Sequence, residues 1–266
     1  MNFSMQPSIS MRQIQLNPSM ILCNLPLFET NLNGLVRLIS RLESMSPDDI
    51  ETIGRISSNS GARAFYDQKV IDFLQDSNDG TPEDPDVKVI RAEKGVEFVY
   101  DSEMDFDKSV QDGNGSDSFI RNARNLLREV KWVAGKTREI YDFVLSHQKA
   151  YLENGEVSSL NPLTQSELAT NVGLSGGTVS RLLKNKSVRG LDGYITPLAS
   201  LCLNTEGISR LRALEVIGKS YASGTLPDSD WKVARMVEQA TEGEVRIARR
   251  TANKYRLFVK DRAERM

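Results

Sequence analysis

Five cations fall within twelve residues near the C-terminus, Arg249, Arg250, Lys254, Arg256 and Lys260, and no carboxylate interrupts them. A guanidinium offers paired, coplanar donors that match a guanine edge or a phosphate, whereas an ammonium serves phosphate as a point charge. If the segment is a helix, Arg249, Asn253, Arg256 and Lys260 share one side, with Arg250 and Lys254 beside them. Ala248, Thr251, Ala252, Tyr255, Phe258 and Val259 then form the other side. Such a helix docks on a small core and turns its charge outward, toward either water or a polyanion.

A second set of candidates lies at residues 164–189. Thr164-Gln165-Ser166-Glu167 is a capping box that starts a helix carrying Leu168, Ala169 and Val172. Gly173 permits a left-handed turn, Ser175 caps a following helix, and Val179 and Leu182 pack back on the first. This spacing predicts a helix-turn-helix. On its exposed side stand Thr178, Ser180, Arg181 and Lys184, followed by Lys186 and Arg189, with no acidic residue from Gly173 to Leu191. Paired short helices with a glycine turn also occur in ordinary helical domains; the cationic second helix favours a nucleic-acid reader.

Elements that must position these groups can be read upstream. Leu32, Leu35, Val36, Leu38, Ile39 and Leu42 recur at helical spacing, and Ser46-Pro47 should open a short helix through Ile50, Ile53 and Ile56. Residues 76–117 hold 13 acidic against 4 basic side chains, which predicts solvated linker around two β-rich runs, Val87–Ile90 and Val96–Tyr100, joined by a turn at Gly95. From Phe119 the periodicity turns helical, with Gly135 expected to end one helix and Gly155 the next. The expected fold is mainly α and multidomain: a helical region at 1–60, a central domain with a β-hairpin at 61–157, the helix-turn-helix at 158–204 and a C-terminal helical DNA-binding domain at 205–266.

The chain has 266 residues and a formal net charge of −2. Its halves differ sharply, with residues 1–118 near −10 and residues 119–266 near +8, as expected if the second half meets DNA. Two cysteines, Cys23 and Cys202, suggest neither a disulfide framework nor a metal site, and the single histidine, His147, has no second ligand nearby. Without a phosphate-cradling glycine run or a hydrolytic triad, no enzyme, cofactor or small-molecule substrate is expected. The apolar run Met20–Phe28 is short and broken by Asn24 and Pro26, so a cytoplasmic protein is expected.

The run Ala248-Arg249-Arg250-Thr251-Ala252-Asn253-Lys254-Tyr255-Arg256 resembles the signature box of the sigma-54 family of bacterial transcription initiation factors, with Ala252 and Asn253 as the departures. Pro162-Leu163-Thr164, Leu168-Ala169, Gly173, Thr178-Val179-Ser180-Arg181 and Lys186 are similar to that family's helix-turn-helix. Gly176-Gly177 stands where the family has polar or acidic residues. Residues 123–155 and the hairpin from Asp86 resemble its core-binding region, and residues 12–20 resemble its opening region. The resemblance implies that the helix-turn-helix engages a downstream (−12) promoter element and the C-terminal box an upstream (−24) GG element. It further implies core RNA polymerase as a partner and an AAA+ activator ATPase acting on the N-terminal region, in a nucleoid-associated protein. The shortened front half leaves an alternative, a DNA-binding regulator that keeps the promoter-reading modules without polymerase function.

Overall fold

The computed structural model describes residues 25–44, 46, 85–93, 95–101 and 118–265. The expected helix through Ile56, the opening region at residues 12–20, Cys23 and most of the acidic segment lie outside them. The described elements are α1 (Leu25–Glu29), α2 (Leu32–Glu43), β1 (Val87–Ala92), β2 (Gly95–Tyr100), α3 (Ser118–His147), α4 (Lys149–Asn154), α5 (Gln165–Asn171), α6 (Gly176–Leu182), β3 (Ser187–Arg189), β4 (Ile195–Pro197), α7 (Thr205–Ala222), α8 (Asp230–Ala240) and α9 (Arg249–Glu264). Short 3-10 turns occur at Val157–Ser159 and Leu198–Leu201. The mainly helical class with a β-hairpin is as expected.

Asn31 caps α2 by accepting from the Gly34 amide at 2.8 Å, and all six apolar positions expected on its stripe are buried. Against them packs α3, whose Leu126, Val130, Val133, Ile140 and Val144 are buried in the same apolar cluster. Each such side chain removed from water stabilises the fold by about 1.5–3 kcal/mol before entropy is counted. The expected break at Gly135 does not occur, and α3 runs for 30 residues. An interior glycine costs a helix about 1 kcal/mol. Val133, Ala134 and Thr137, buried on either side of it, hold the helix through that position. Gly155 does end α4, in the left-handed conformation at φ 71°.

The hairpin pairs Val87 with Tyr100 and Ala92 with Gly95. Its β1 edge then takes up β3 in parallel, Val87 beside Val188 and Lys88 beside Arg189, to give the order β2-β1-β3-β4. One apolar cluster therefore extends from Leu27 through the hairpin, α3, α5 and α6 to Leu201, continuous across residue 157, where a boundary was expected. A second cluster, Ala213, Ile217, Val233, Val237, Val245 and Ala252, serves α7, α8 and α9.

At the strand junction Asp86 is buried, accepting from the Asn33 amide at 3.0 Å and the Tyr141 hydroxyl at 2.6 Å. The same hydroxyl accepts from the Ser187 amide at 3.0 Å. Burial pushes the Asp86 carboxyl above its usual range, opposed by those donors and by the charge of Lys186.

Candidate nucleic-acid interface

The first helix-turn-helix forms as its capping signals require. Thr164 accepts from the Glu167 amide at 3.1 Å while the Glu167 carboxylate accepts from the Thr164 amide at 2.7 Å. The Thr164 amide and then its hydroxyl, both donating to the Glu167 carboxylate, hold that carboxyl below its ordinary range. Leu168 and Ala169 of α5 meet Val179 and Leu182 of α6 in the core, across a turn with Gly173 at φ 67°. Ser175 caps α6 by accepting from the Thr178 amide at 3.2 Å, and the two hydroxyls lie 2.9 Å apart. Lys136 of α3 reaches the Val172 carbonyl at the end of α5, where a cation complements the helix terminus. The outer side of α6 presents Gly176, Gly177 and Ser180 to solvent, with Arg181 half-buried.

Two contacts expected of this first unit need correction. Lys186 does not face outward: only 1% of it is exposed, and its ammonium donates to the carbonyls of Phe28 (3.0 Å), Thr30 (2.7 Å) and Lys184 (3.2 Å). Burial pulls its pKa down to about 8, against the opposing pull of Asp86 and Glu29. It anchors α6 to the end of α1 and is withdrawn from any surface ligand. Arg189 lies in β3 and is half-buried, not on α6. Lys184 is exposed just beyond α6 and pairs with Glu29 at 2.7 Å.

The C-terminal unit is a second helix-turn-helix, where the sequence predicts a basic helix on a small core. Its first helix, α8, buries Val233 and Val237; Glu242 and Gly243 then turn left-handed at φ 52° and 86°. Thr241 fixes that turn by accepting from the Val245 amide at 3.1 Å. The signal was present in the apolar pair of α8 followed by a glycine and then Val245. In α9 Ala252 is buried and Tyr255 and Val259 pack beside it, as the periodicity predicts, whereas Phe258 and Leu257 are about half exposed.

Arg249, Arg250, Lys254 and Lys260 are exposed along α9. Asn253 and Arg256 are held inward instead, on one carboxylate at the start of α8: Asn253 donates to Asp230 at 3.1 Å and Arg256 pairs with it at 2.9 Å. Arg256 also donates to the Asp228 carbonyl. Thr251 is half-buried. Ala248, in the capping position, offers no side-chain acceptor, and the first turn that follows carries two arginines and no acid. Cations oppose the positive end of a helix dipole by about 0.3–1 kcal/mol each, an unfavourable start that an external anion would relieve.

The model for the DNA-binding domain of sigma-54 matches residues 116–262, more than half of the chain. The chain belongs to the sigma-54 family. Over 141 residues it is 28% identical to the RNA polymerase sigma-54 factor of Xanthomonas euvesicatoria, covering 52% of this chain and 29% of that one. Over 119 residues it is 29% identical to the factor of Rhodobacter capsulatus, covering 42% and 27%. It thus spans less than a third of the length of these sigma-54 relatives. Aquifex aeolicus sigmaN, solved bound to promoter DNA, aligns over 78% of this chain and 73% of its own, at 17% identity and a TM-score of 0.39. Within the sigma-54 match, both helix-turn-helix units fall inside the family's DNA-binding domain.

Proposed function

We propose that this chain reads a two-part promoter for a sigma-54-type transcription initiation complex. The observation that carries the reading is the pair of helix-turn-helix units, each presenting its second helix to solvent, α6 with no acidic residue and α9 with none from Arg249 to Lys260. Arg181 in the first unit and Arg249 and Arg250 in the second have the fork geometry for guanine edges, the first at the downstream element and the others at the upstream GG element. Lys184, Lys254 and Lys260 suit phosphate. Tyr255, Thr251, Asn253 and Arg256 seat the helix on its core and on Asp230, and Ser175 and Thr178 organise the start of α6.

Core RNA polymerase is the proposed partner of the central region, the β1–β2 hairpin with α3, and an AAA+ ATPase supplies the work of promoter opening. The protein acts by binding rather than by catalysis, in the cytoplasm at the nucleoid. A hydroxyl-radical footprint on a duplex with separated GG and GC elements tests the reading: two protected patches on one face are expected, and protection no different from random DNA overturns it. Co-elution with core polymerase tests the partner; DNA binding without it leaves a regulator that only occupies such promoters.

A further inference from the structure

Helix α7 is the passage between the two readers, and its sides are differently engaged. Ala213, Val216 and Ile217 pack into the C-terminal cluster. Ile208, Arg212, Glu215 and Lys219 lie along another stripe, at helical spacing. Ile208 is buried, yet it belongs to neither apolar cluster, and the same is true of Leu160 at the end of the 3-10 turn Val157–Ser159. Arg212 donates to the Ser158 carbonyl at 2.7 Å and, through its other terminal nitrogen, pairs with Glu244 in the turn of the second helix-turn-helix. One guanidinium therefore touches both the 3-10 turn at Val157–Ser159, just ahead of the first helix-turn-helix, and the turn that sets α9.

The chain leading into α7 is fixed as well. Gln148, fully buried, donates to the Leu201 and Asn161 carbonyls at 2.9 and 2.8 Å, and the Leu163 amide donates to the Leu203 carbonyl at 2.7 Å. Attachment at Leu203 alone would leave a pivot. A second attachment at Arg212, about 12 Å further along the helix axis, turns the pivot into a fixed direction. Electrostatics agree with this seam: Glu215 adds to the burial that raises the Tyr151 hydroxyl, and Glu156 reinforces the hold of Glu215 on the Lys219 ammonium.

The geometry points to Arg212 as a positioning residue that fixes the separation and rotation of the two readers, so that it, rather than any base contact, sets which spacing between DNA elements is accepted. This rests on the two-reader function above. Each base pair inserted between elements moves one of them by about 3.4 Å and turns it by about 35°. A rigid pair tolerates little of that, and simultaneous engagement is lost once geometry forbids it.

Fluorescence anisotropy with the full chain, on duplexes whose spacer varies by −3 to +3 base pairs, provides the test. The parent should bind one spacer at least about 10-fold more tightly than those two base pairs shorter or longer. Arg212→Ala should bind an isolated upstream element within about 2-fold of the parent, yet vary by no more than about 3-fold across the spacer series. Glu244→Gln, at a largely exposed site, should flatten the profile in the same sense and less deeply. An Arg212→Ala profile that superimposes on the parent's, with upstream-element affinity intact, overturns the inference, as does a flat profile in the parent. Failure to bind either element above random DNA removes the promoter reading itself, a result distinct from both.

Discussion

Lys186 offers a quantitative handle on the joint between α6 and α1. Its charged form is disfavoured in the folded protein, where its pKa is about 8 against 10.5 when exposed. At 1.36 kcal/mol per tenfold change in proton affinity, that gap amounts to about 3 kcal/mol, and with 1% exposure solvent screening removes little of it. Below pH 8 both folded and unfolded chains carry the proton and the full penalty is present. Between pH 8 and 10.5 the unfolded chain binds more protons, so stability must rise with pH. From pH 7 to 9.5 the gain is about 2 kcal/mol. Tyr100, Tyr141 and Cys202, whose acid groups are all pushed up by burial, act in the opposite direction near pH 10. Urea denaturation of the parent and of Lys186→Met across this range, compared by difference, cancels those groups. At pH 7 Lys186→Met should lose about 1–3 kcal/mol, because it leaves carbonyls of Phe28, Thr30 and Lys184 without their donor. The parent's advantage should then widen by about 2 kcal/mol toward pH 9.5. A difference that stays flat would refute the assignment of Lys186 as a buried ammonium.

Arg250→Ala should weaken binding to a GG-containing duplex by about 10- to 100-fold and relax preference at the contacted base, measured by anisotropy against single-base variants. Lys254→Ala should weaken all sequences alike and lower the slope of log affinity against log salt by about 1. Asp230→Ala should destabilise the protein by about 1–3 kcal/mol in urea, since Asn253 loses its acceptor and Arg256 its carboxylate partner. Gly176→Ala and Gly177→Ala should each stabilise by about 0.5–1 kcal/mol in the same assay, because a Cβ there meets nothing closer than 4.0 Å and the unfolded chain loses freedom.

Local chemistry was legible in the sequence, and long-range chemistry was not. The capping box at Thr164, the turn at Gly173, the stripe of α2 and the hairpin at Gly95 each depend on residues within a few positions of one another, so pattern suffices. Gly135 misled because its cost is local while the packing of Val133, Ala134 and Thr137 that overrides it is tertiary. Lys186 shares the composition of a surface stripe, but the carbonyls that receive it belong to residues 28 and 30. Arg256 reads as a guanine fork until Asp230, 26 residues earlier, is brought beside it. The second turn at Glu242-Gly243 carries a local signal as well, a glycine between the apolar pair of α8 and Val245.

The parallel pairing of β1 with β3 also governs how this protein can be made. Val87 cannot find Val188 until about a hundred further residues have left the ribosome, and a parallel strand has no tight turn to recruit it. Until that closure, the hairpin edge and the apolar faces of α2 and α3 lack the cover that Leu182, Val188 and Leu198 provide. The first reader is therefore the closing piece of its own support rather than a module appended to it. A cut at the apparent linker before Pro162 should yield two insoluble halves, while a cut after Leu203 divides the chain between its two apolar cores.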